Sequence, residues 1–280
     1  MSENLLFGLS AVAAMVPTAL LSWRWDARRD ALYWMLLAVA VAGPLAWVAA
    51  QMSGAWLTGL SITLWVTVAA SMALFAAICV INPEAWRLTP LLAPYMICIG
   101  LLAIVWQAAP GKPIGAAAPS GWIEVHILVS VSTYALVTLA AVAALAAFLQ
   151  ERALKAKRPT PLSRHLPSVA DSDILLVRLL VLGEIVLALG LATGMATQYG
   201  ETGSLLAFNH KTVLTLAAFA VIGALLAVHV RTGVRGRMVA RVVLLAALLL
   251  TLGYPGVTFV TAACISYASS VLWPHPPVAF

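Results

Sequence analysis

The chain has 280 residues, of which 63% are hydrophobic and only 9% are charged. Soluble globular domains average about 45–50% apolar and about 25% charged residues, so this composition predicts an integral membrane protein. Sixteen Lys and Arg against ten Asp and Glu give a formal charge of +6. A membrane protein places such an excess on one side of the bilayer, so the charge does not indicate nucleic-acid binding.

The sequence carries no motif of the common soluble enzymes. It has no Walker motif, no GxGxxG that opens a helix after a strand, no HExxH and no GxSxG, so it favours a protein without enzymatic activity. Cys79, Cys98 and Cys264 lie within apolar runs and form no CxxC or Cys-His cluster. We expect all three cysteines to be buried apolar residues.

Eight apolar runs approach the roughly 20 residues that a helix needs to cross a bilayer. The first run has no basic residues before it, so we expect a retained span and not a cleaved signal peptide. Residues 1–280 form a single membrane domain by this pattern, with four spans in residues 1–107. The predicted spans are Leu5 to Ser22, Ala31 to Met52, Leu57 to Ile81, Leu91 to Gln107, Ile123 to Gln150, Ile174 to Thr197, Val213 to Val230 and Val242 to Tyr267.

The basic residues divide sharply between the two sides of these spans. Fourteen of the sixteen fall on one side, and only Lys112 and Lys211 fall on the other. Because cytoplasmic loops carry the excess of Lys and Arg, we predict an all-α polytopic bundle of about eight helices with both termini outside. Asp173 is the predicted N-cap of the sixth span. The outer connections from Ala108 to Trp122 and from Gln198 to Lys211 are long enough to shape a site.

His126 lies one turn into the fifth span from the predicted outer side. Ser130, Thr133 and Tyr134 follow it at i+4, i+7 and i+8, so all four residues share one helix face that we expect to point into the bundle. An imidazole in this position is either an axial ligand of haem iron or a side chain hydrogen-bonded to a neighbouring helix. The spacing leaves both interpretations open.

Other ionisable residues mark further candidate positions. His210 and His229 border the two ends of the seventh span, roughly 28 Å apart at about 1.5 Å per residue. His229 precedes a basic stretch that suits either haem propionates or anionic lipid headgroups. Glu184 lies about ten residues into the sixth span, where it serves either a proton or ion step or packs as a neutral carboxyl bonded to helix backbone. The stretch from Gly253 to Gly256 predicts a kink in the last span.

Three stretches resemble the CcsA/CcmC cytochrome c assembly superfamily and are most similar to its YpjD/HemX-type branch. They are VHILVSVSTYALVTLAAVAAL from Val125, LGEIVLALGLATG from Leu182 and HVRTGVRGRMVARV from His229, within a similar region that spans residues 121–267. The resemblance implies a multi-pass protein of the bacterial inner membrane that binds or transports haem. It implies that His126 is an axial haem ligand near the outer face.

Two departures from the family pattern concern haem delivery. Ile265 stands where the family has a second histidine, and the tryptophan-rich outer segment is reduced to LLAFNHK, residues 205–211. We therefore expect His210 to supply the second axial ligand, with His275 a weaker candidate, while His229 matches a histidine of the YpjD-type branch. The expected partners are haem, membrane lipid and a membrane protein of a cytochrome c assembly system. The alternative is a non-haem accessory or regulatory subunit that docks another membrane protein, and a transporter that uses Glu184 is a third possibility.

Overall fold

The computed structural model describes residues 3–23, 28–53, 57–108, 112–113, 121–203, 209–233 and 237–252. These residues form a helical bundle with one short antiparallel strand pair, β1 (Leu57–Thr58) with β2 (Lys112–Pro113). Two 3-10 turns, Ala85–Leu88 and Trp106–Ala108, flank α4. The helices of the described part are α1 (Glu3–Leu21), α2 (Ala31–Met52), α3 (Leu60–Ile81), α4 (Thr89–Val105), α5 (Gly121–Lys155), α6 (Pro161–His165), α7 (Val169–Thr202), α8 (His210–Thr232) and α9 (Arg237–Thr251).

Seven helices of the described part are long and apolar enough to cross a membrane: α1 to α5, α7 and α8. The predicted polytopic membrane bundle is therefore confirmed. The shorter apolar helix α9 covers the start of the predicted eighth span. The rest of that span, including the predicted kink at Gly253 to Gly256 and Ile265, lies outside the described residues, as does His275.

The direction of insertion stays a prediction from the distribution of basic residues. We use "outer end" for the end of the bundle at which α1 and α5 begin, α7 ends and α8 begins, and "inner end" for the opposite one.

The predicted second span matches α2 at both ends. The predicted third span began three residues too early, because Leu57 and Thr58 belong to β1 and α3 starts at Leu60.

The helices that contain the predicted fifth and sixth spans extend beyond them at both ends. Helix α5 continues to Lys155, and α7 begins at Val169 and ends at Thr202. The N-cap of α7 is Ser168, whose side chain accepts a hydrogen bond from the Asp171 backbone N–H at 3.1 Å, so Asp173 lies within the helix. Cys79 is buried as expected, whereas Cys98 is exposed on α4, and Cys264 lies outside the described residues.

The helices pack in two groups, α1 to α4 and α5 with α7, α8 and α9, and α3 joins them by packing against α5. Large buried side chains such as Trp65 and Phe75 fill the first group. Side chains also bond to the backbone of neighbouring helices: Thr18 Oγ1 donates to the Leu36 carbonyl and Ser61 Oγ donates to the Ala103 carbonyl, both at 2.8 Å. Polar side chains at helix interfaces in an apolar bundle find such partners because unpaired polar groups there are costly.

The contact between α5 and α7 is the most extensive in the described structure. Glycines on α7 face it: a Cβ at Gly183 would meet Val137 at 3.5 Å, one at Gly190 would meet Val129 at 3.5 Å, and one at Gly194 would meet His126 at 3.0 Å. As the residue number increases along α7 from Gly183 to Gly194, the number of the facing residue decreases along α5. This order is that of two antiparallel helices. Small residues at these positions let the two backbones approach closely.

The connection between α5 and α7 folds back under the inner end of α5. Gln150 Nε2 lies 2.7 Å from the Ser163 carbonyl and 3.1 Å from the carbonyls of both Leu166 and Pro167. One amide thus satisfies backbone acceptors that the short helix α6 and the following turn leave unpaired. This contact holds the start of α7 against α5.

Gly43 on α2 tests the close packing of the first group, because a Cβ there would lie 2.7 Å from the Cβ of Ala14 on α1. We expect Gly43→Ala to push α1 and α2 apart, with an overpacking cost of about 1–3 kcal/mol. Thermal unfolding in detergent measures the change. The matched control is Gly183→Ala, whose nearest contact of 3.5 Å is ordinary. Equal unfolding midpoints for the two variants would show that α1 and α2 can move apart at Gly43 without a loss of stability.

Candidate functional site

A cavity of 270 Å³ lies at the outer end of the bundle between α5, α7, α8 and α9. Its lining combines polar side chains with a smaller set of apolar ones. The lining residues are His126, Ser130, Thr133, Tyr134, Leu187, Gly190, Leu191, Gly194, Met195, Thr197, Gln198, Asn209, Lys211, Thr212, Thr215 and Leu250.

Helix α5 supplies the four residues that the sequence placed on one face. His126, Ser130, Thr133 and Tyr134 all line the cavity, so the prediction that this face points into the bundle is confirmed. Tyr134 Oη lies 3.1 Å from Thr251 Oγ1 on α9. This bond fastens the described end of α9 to the cavity wall.

His126 is half-buried and its ring is held against α7. Nδ1 lies 3.1 Å from Thr193 Oγ1. On the same side, a Cβ added at Gly194 would lie only 3.0 Å from Cε1 of the ring. The imidazole therefore occupies space that exists because residue 194 is a glycine, and its orientation is set by one side-chain contact.

The end of α7 and the start of α8 form the rim of the cavity. Asn209 caps α8, and its Oδ1 accepts hydrogen bonds from the Thr212 backbone N–H at 2.9 Å and from Thr212 Oγ1 at 3.0 Å. Lys211 is the only Lys, Arg, Asp or Glu among the described residues that line the cavity. Its side chain contributes a basic group to the lining.

The structure does not bring the three predicted histidines together. His210 is exposed and is absent from the described cavity lining, although Asn209 and Lys211 on either side belong to it. His229 lies near the inner end of α8, where its carbonyl accepts a hydrogen bond from the Gly233 N–H at 2.8 Å. The cavity instead joins His126 with Met195 and Lys211.

Thr193 and Met195 were not predicted from the sequence, although Thr193 lies within a stretch that was quoted for its family resemblance and Met195 directly follows it. The signal that pointed toward them was Gly194, which follows Thr193 in that stretch. A single sequence gives no information on which residue of α7 faces which residue of α5. Their relation to His126 therefore required the structure.

Glu184 lies deeper along α7 and faces α8 at Gly223, where an added Cβ would lie 3.0 Å from its Oε1. Its Oε2 is buried and has no hydrogen-bond partner within the described residues. The described structure therefore does not show a helix-backbone partner for this oxygen. Glu184 is not part of the cavity lining in the described part of the chain.

No group of three or more His, Cys, Asp and Glu residues is placed to hold a bare metal ion in the described part of the chain. Iron held in a macrocycle has a different requirement, because the protein supplies only its axial ligands. The described cavity lining contains two side chains of types that can serve as such axial ligands, His126 and Met195.

The sequence matches the cytochrome C assembly protein family model over residues 25–265, which extends the similarity into the first group of helices. A protein of Azospirillum brasilense, described as an uncharacterized 28.8 kDa protein in the nifR3-like 5' region, is 53% identical over 266 residues. The aligned residues cover 93% of this chain and 98% of that protein. No solved structure matches the chain. Because the family match covers most of its length, the chain belongs to the cytochrome c assembly protein family.

Proposed function

We propose that this protein is a non-enzymatic haem-binding protein that handles haem for cytochrome c assembly, with His126 as an axial ligand of the iron. The observation that carries the proposal is a half-buried imidazole in a cavity whose described lining also holds Met195 and Lys211. Family membership supports a role related to cytochrome c assembly. We place the protein in the bacterial inner membrane, with the cavity toward the outer face.

The residues around the cavity fit haem in three respects. His126 offers a nitrogen donor, which is a common axial ligand. Lys211 offers a positive charge to the carboxylates of the macrocycle, and Leu187, Leu191 and Leu250 offer apolar contact. At 270 Å³ the cavity is smaller than the roughly 300–1,000 Å³ typical of ligand pockets, so it accommodates part of the macrocycle.

Bound haem would supply the iron centre and the reactive vinyl groups, and the chain's own residues would bind and orient it. The inner end carries a separate basic surface around His229, Arg231 and Arg241. We propose that anionic lipid headgroups bind there, because basic clusters beside membrane helices attract them. His229 lies near the end of α8 that is opposite to the cavity, so we propose that this inner surface acts separately from His126.

His126→Ala tests the proposal directly. We expect purified wild-type protein supplied with haem to show a Soret band with sharp reduced bands, and the variant to lose them because the iron loses its nitrogen ligand. Absorbance titration of both proteins in detergent measures this. The matched control is His165→Ala in α6 at the inner end, which should leave the spectrum unchanged. Identical haem spectra for wild type and His126→Ala would refute the assignment.

The second axial ligand requires its own test, because Ile265 occupies the position of the family histidine. The sequence predicts His210, and the cavity lining adds Met195, whose thioether is a known partner of histidine on haem iron. We expect either His210→Ala or Met195→Ala to convert a low-spin spectrum to a high-spin one. The variant that does so identifies the ligand, and two unchanged spectra would exclude both residues.

Gly194→Ala tests whether the His126 ring needs the space that a glycine leaves at position 194. We expect the added methyl group, which would lie 3.0 Å from Cε1 of His126, to displace the ring and weaken haem binding about 10-fold or more. Haem titration compares it with Gly190→Ala, whose nearest contact is an ordinary 3.5 Å to Val129. Equal affinities for the two variants would show that the ring position does not control binding.

The alternative function is an accessory or regulatory subunit that docks another membrane protein. The substitution of Ile265 for the family histidine favours it, because isoleucine cannot ligate iron. A featureless spectrum with no saturable change on haem addition, together with a stable co-purifying membrane protein, would replace the haem-binding proposal by this one.

A further inference from the structure

The hydroxyl of Thr193 contacts both the His126 ring and the backbone of its own helix. Its Oγ1 lies 3.1 Å from His126 Nδ1, 2.9 Å from the Leu189 carbonyl oxygen and 3.1 Å from the Gly190 carbonyl oxygen. Thr193 therefore stands between one titratable ring nitrogen and two backbone acceptors. The direction of each hydrogen bond follows from the number of protons available.

A threonine hydroxyl has one proton to donate and two lone pairs to accept. The carbonyl oxygens of Leu189 and Gly190 can only accept, and both lie within hydrogen-bond distance of the hydroxyl, so we assign its proton to the backbone. The oxygen of Thr193 then turns a lone pair toward Nδ1, and in this arrangement that nitrogen carries the proton of the bond between them.

We propose that Thr193 is a positioning residue that holds neutral His126 in the Nδ1–H tautomer and so leaves the lone pair on Nε2. The consequence for iron ligation rests on the proposed haem-binding function, whereas the tautomer is a property of the protein alone. Histidines that ligate metals generally donate their other ring N–H to an oxygen acceptor, which fixes the tautomer and ring orientation. Thr193 supplies that acceptor and Gly194 supplies the space beside the ring.

The tautomer is measured on the protein without haem. Protein labelled with 15N-histidine is studied by NMR at about pH 8, well above the ordinary histidine pKa of ~6.5, and His126 is assigned by its absence in His126→Ala. We expect Nδ1 to give the signal of a protonated nitrogen and Nε2 that of an unprotonated one. A predominant Nε2–H tautomer in the wild-type protein would overturn the proposal without any need for a variant.

Substitution then tests whether Thr193 is the cause. We expect Thr193→Val to give a mixture of tautomers or the Nε2–H form, and Thr193→Ser to restore the wild-type signals because it keeps the hydroxyl. The matched control is Thr67→Val on α3, which removes the same kind of bond between a threonine hydroxyl and the backbone of its own helix. Thr67 is not among the described residues that line the cavity, and its Oγ1 donates to the Thr63 carbonyl at 2.9 Å. A wild-type tautomer in Thr193→Val would refute the role of Thr193.

Haem titration of the same proteins separates this inference from the proposed function. We expect Thr193→Val to weaken haem binding by about 10- to 100-fold, the usual effect of removing a group that orients a metal ligand, while Thr193→Ser and Thr67→Val bind as the wild type does. If the tautomer responds to Thr193 but no protein binds haem, the proposed function fails and the positioning role stands. If haem binds equally to all of them and the tautomer does not change, the positioning role fails and the function stands.

Discussion

The close approach of α5 and α7 is the contact on which both the fold and the candidate site depend. Gly183 and Gly190 bring the two helices together over apolar side chains, and Gly194 repeats the arrangement at the outer end, where the facing side chain is His126. Close packing in an apolar bundle leaves little room for rotamer changes. The contact that stabilises the second group of helices therefore also orients the imidazole.

Much of the fold could be predicted from the sequence, because a helix that crosses the bilayer needs an apolar run long enough to match the bilayer thickness. The α2 boundaries were correct, and the polar spacing after His126 correctly predicted the α5 face that lines the cavity. Helix ends that lie beyond the apolar run were harder to predict. Helix α5 continues through polar residues to Lys155, and α7 continues to Thr202. A helix can extend beyond the bilayer, so the end of the apolar run does not mark the end of the helix.

The rotation of each helix relative to its neighbours could not be predicted from the sequence, and the residues around His210 show why. Successive residues on a helix point about 100° apart, so a shift of one position changes the surroundings of a side chain completely. His210 was expected beside His126, yet Asn209 and Lys211 line the cavity and His210 is exposed. The Thr193 contact has the same origin, because it depends on the rotation of α7 against α5.

The electrostatic character of the cavity follows from how the charges are distributed along α7 and α8. Glu184 is separated from Gln198 at the cavity rim by fourteen residues of α7, roughly 21 Å at about 1.5 Å per residue. Glu184 is therefore remote from Lys211, which lines the cavity at the start of α8. If haem binds here as proposed, Lys211 offers its charge to the carboxylates and His126 offers its imidazole to the iron. In that proposal charge attracts the ligand, and the ring held by Thr193 provides the ligating nitrogen.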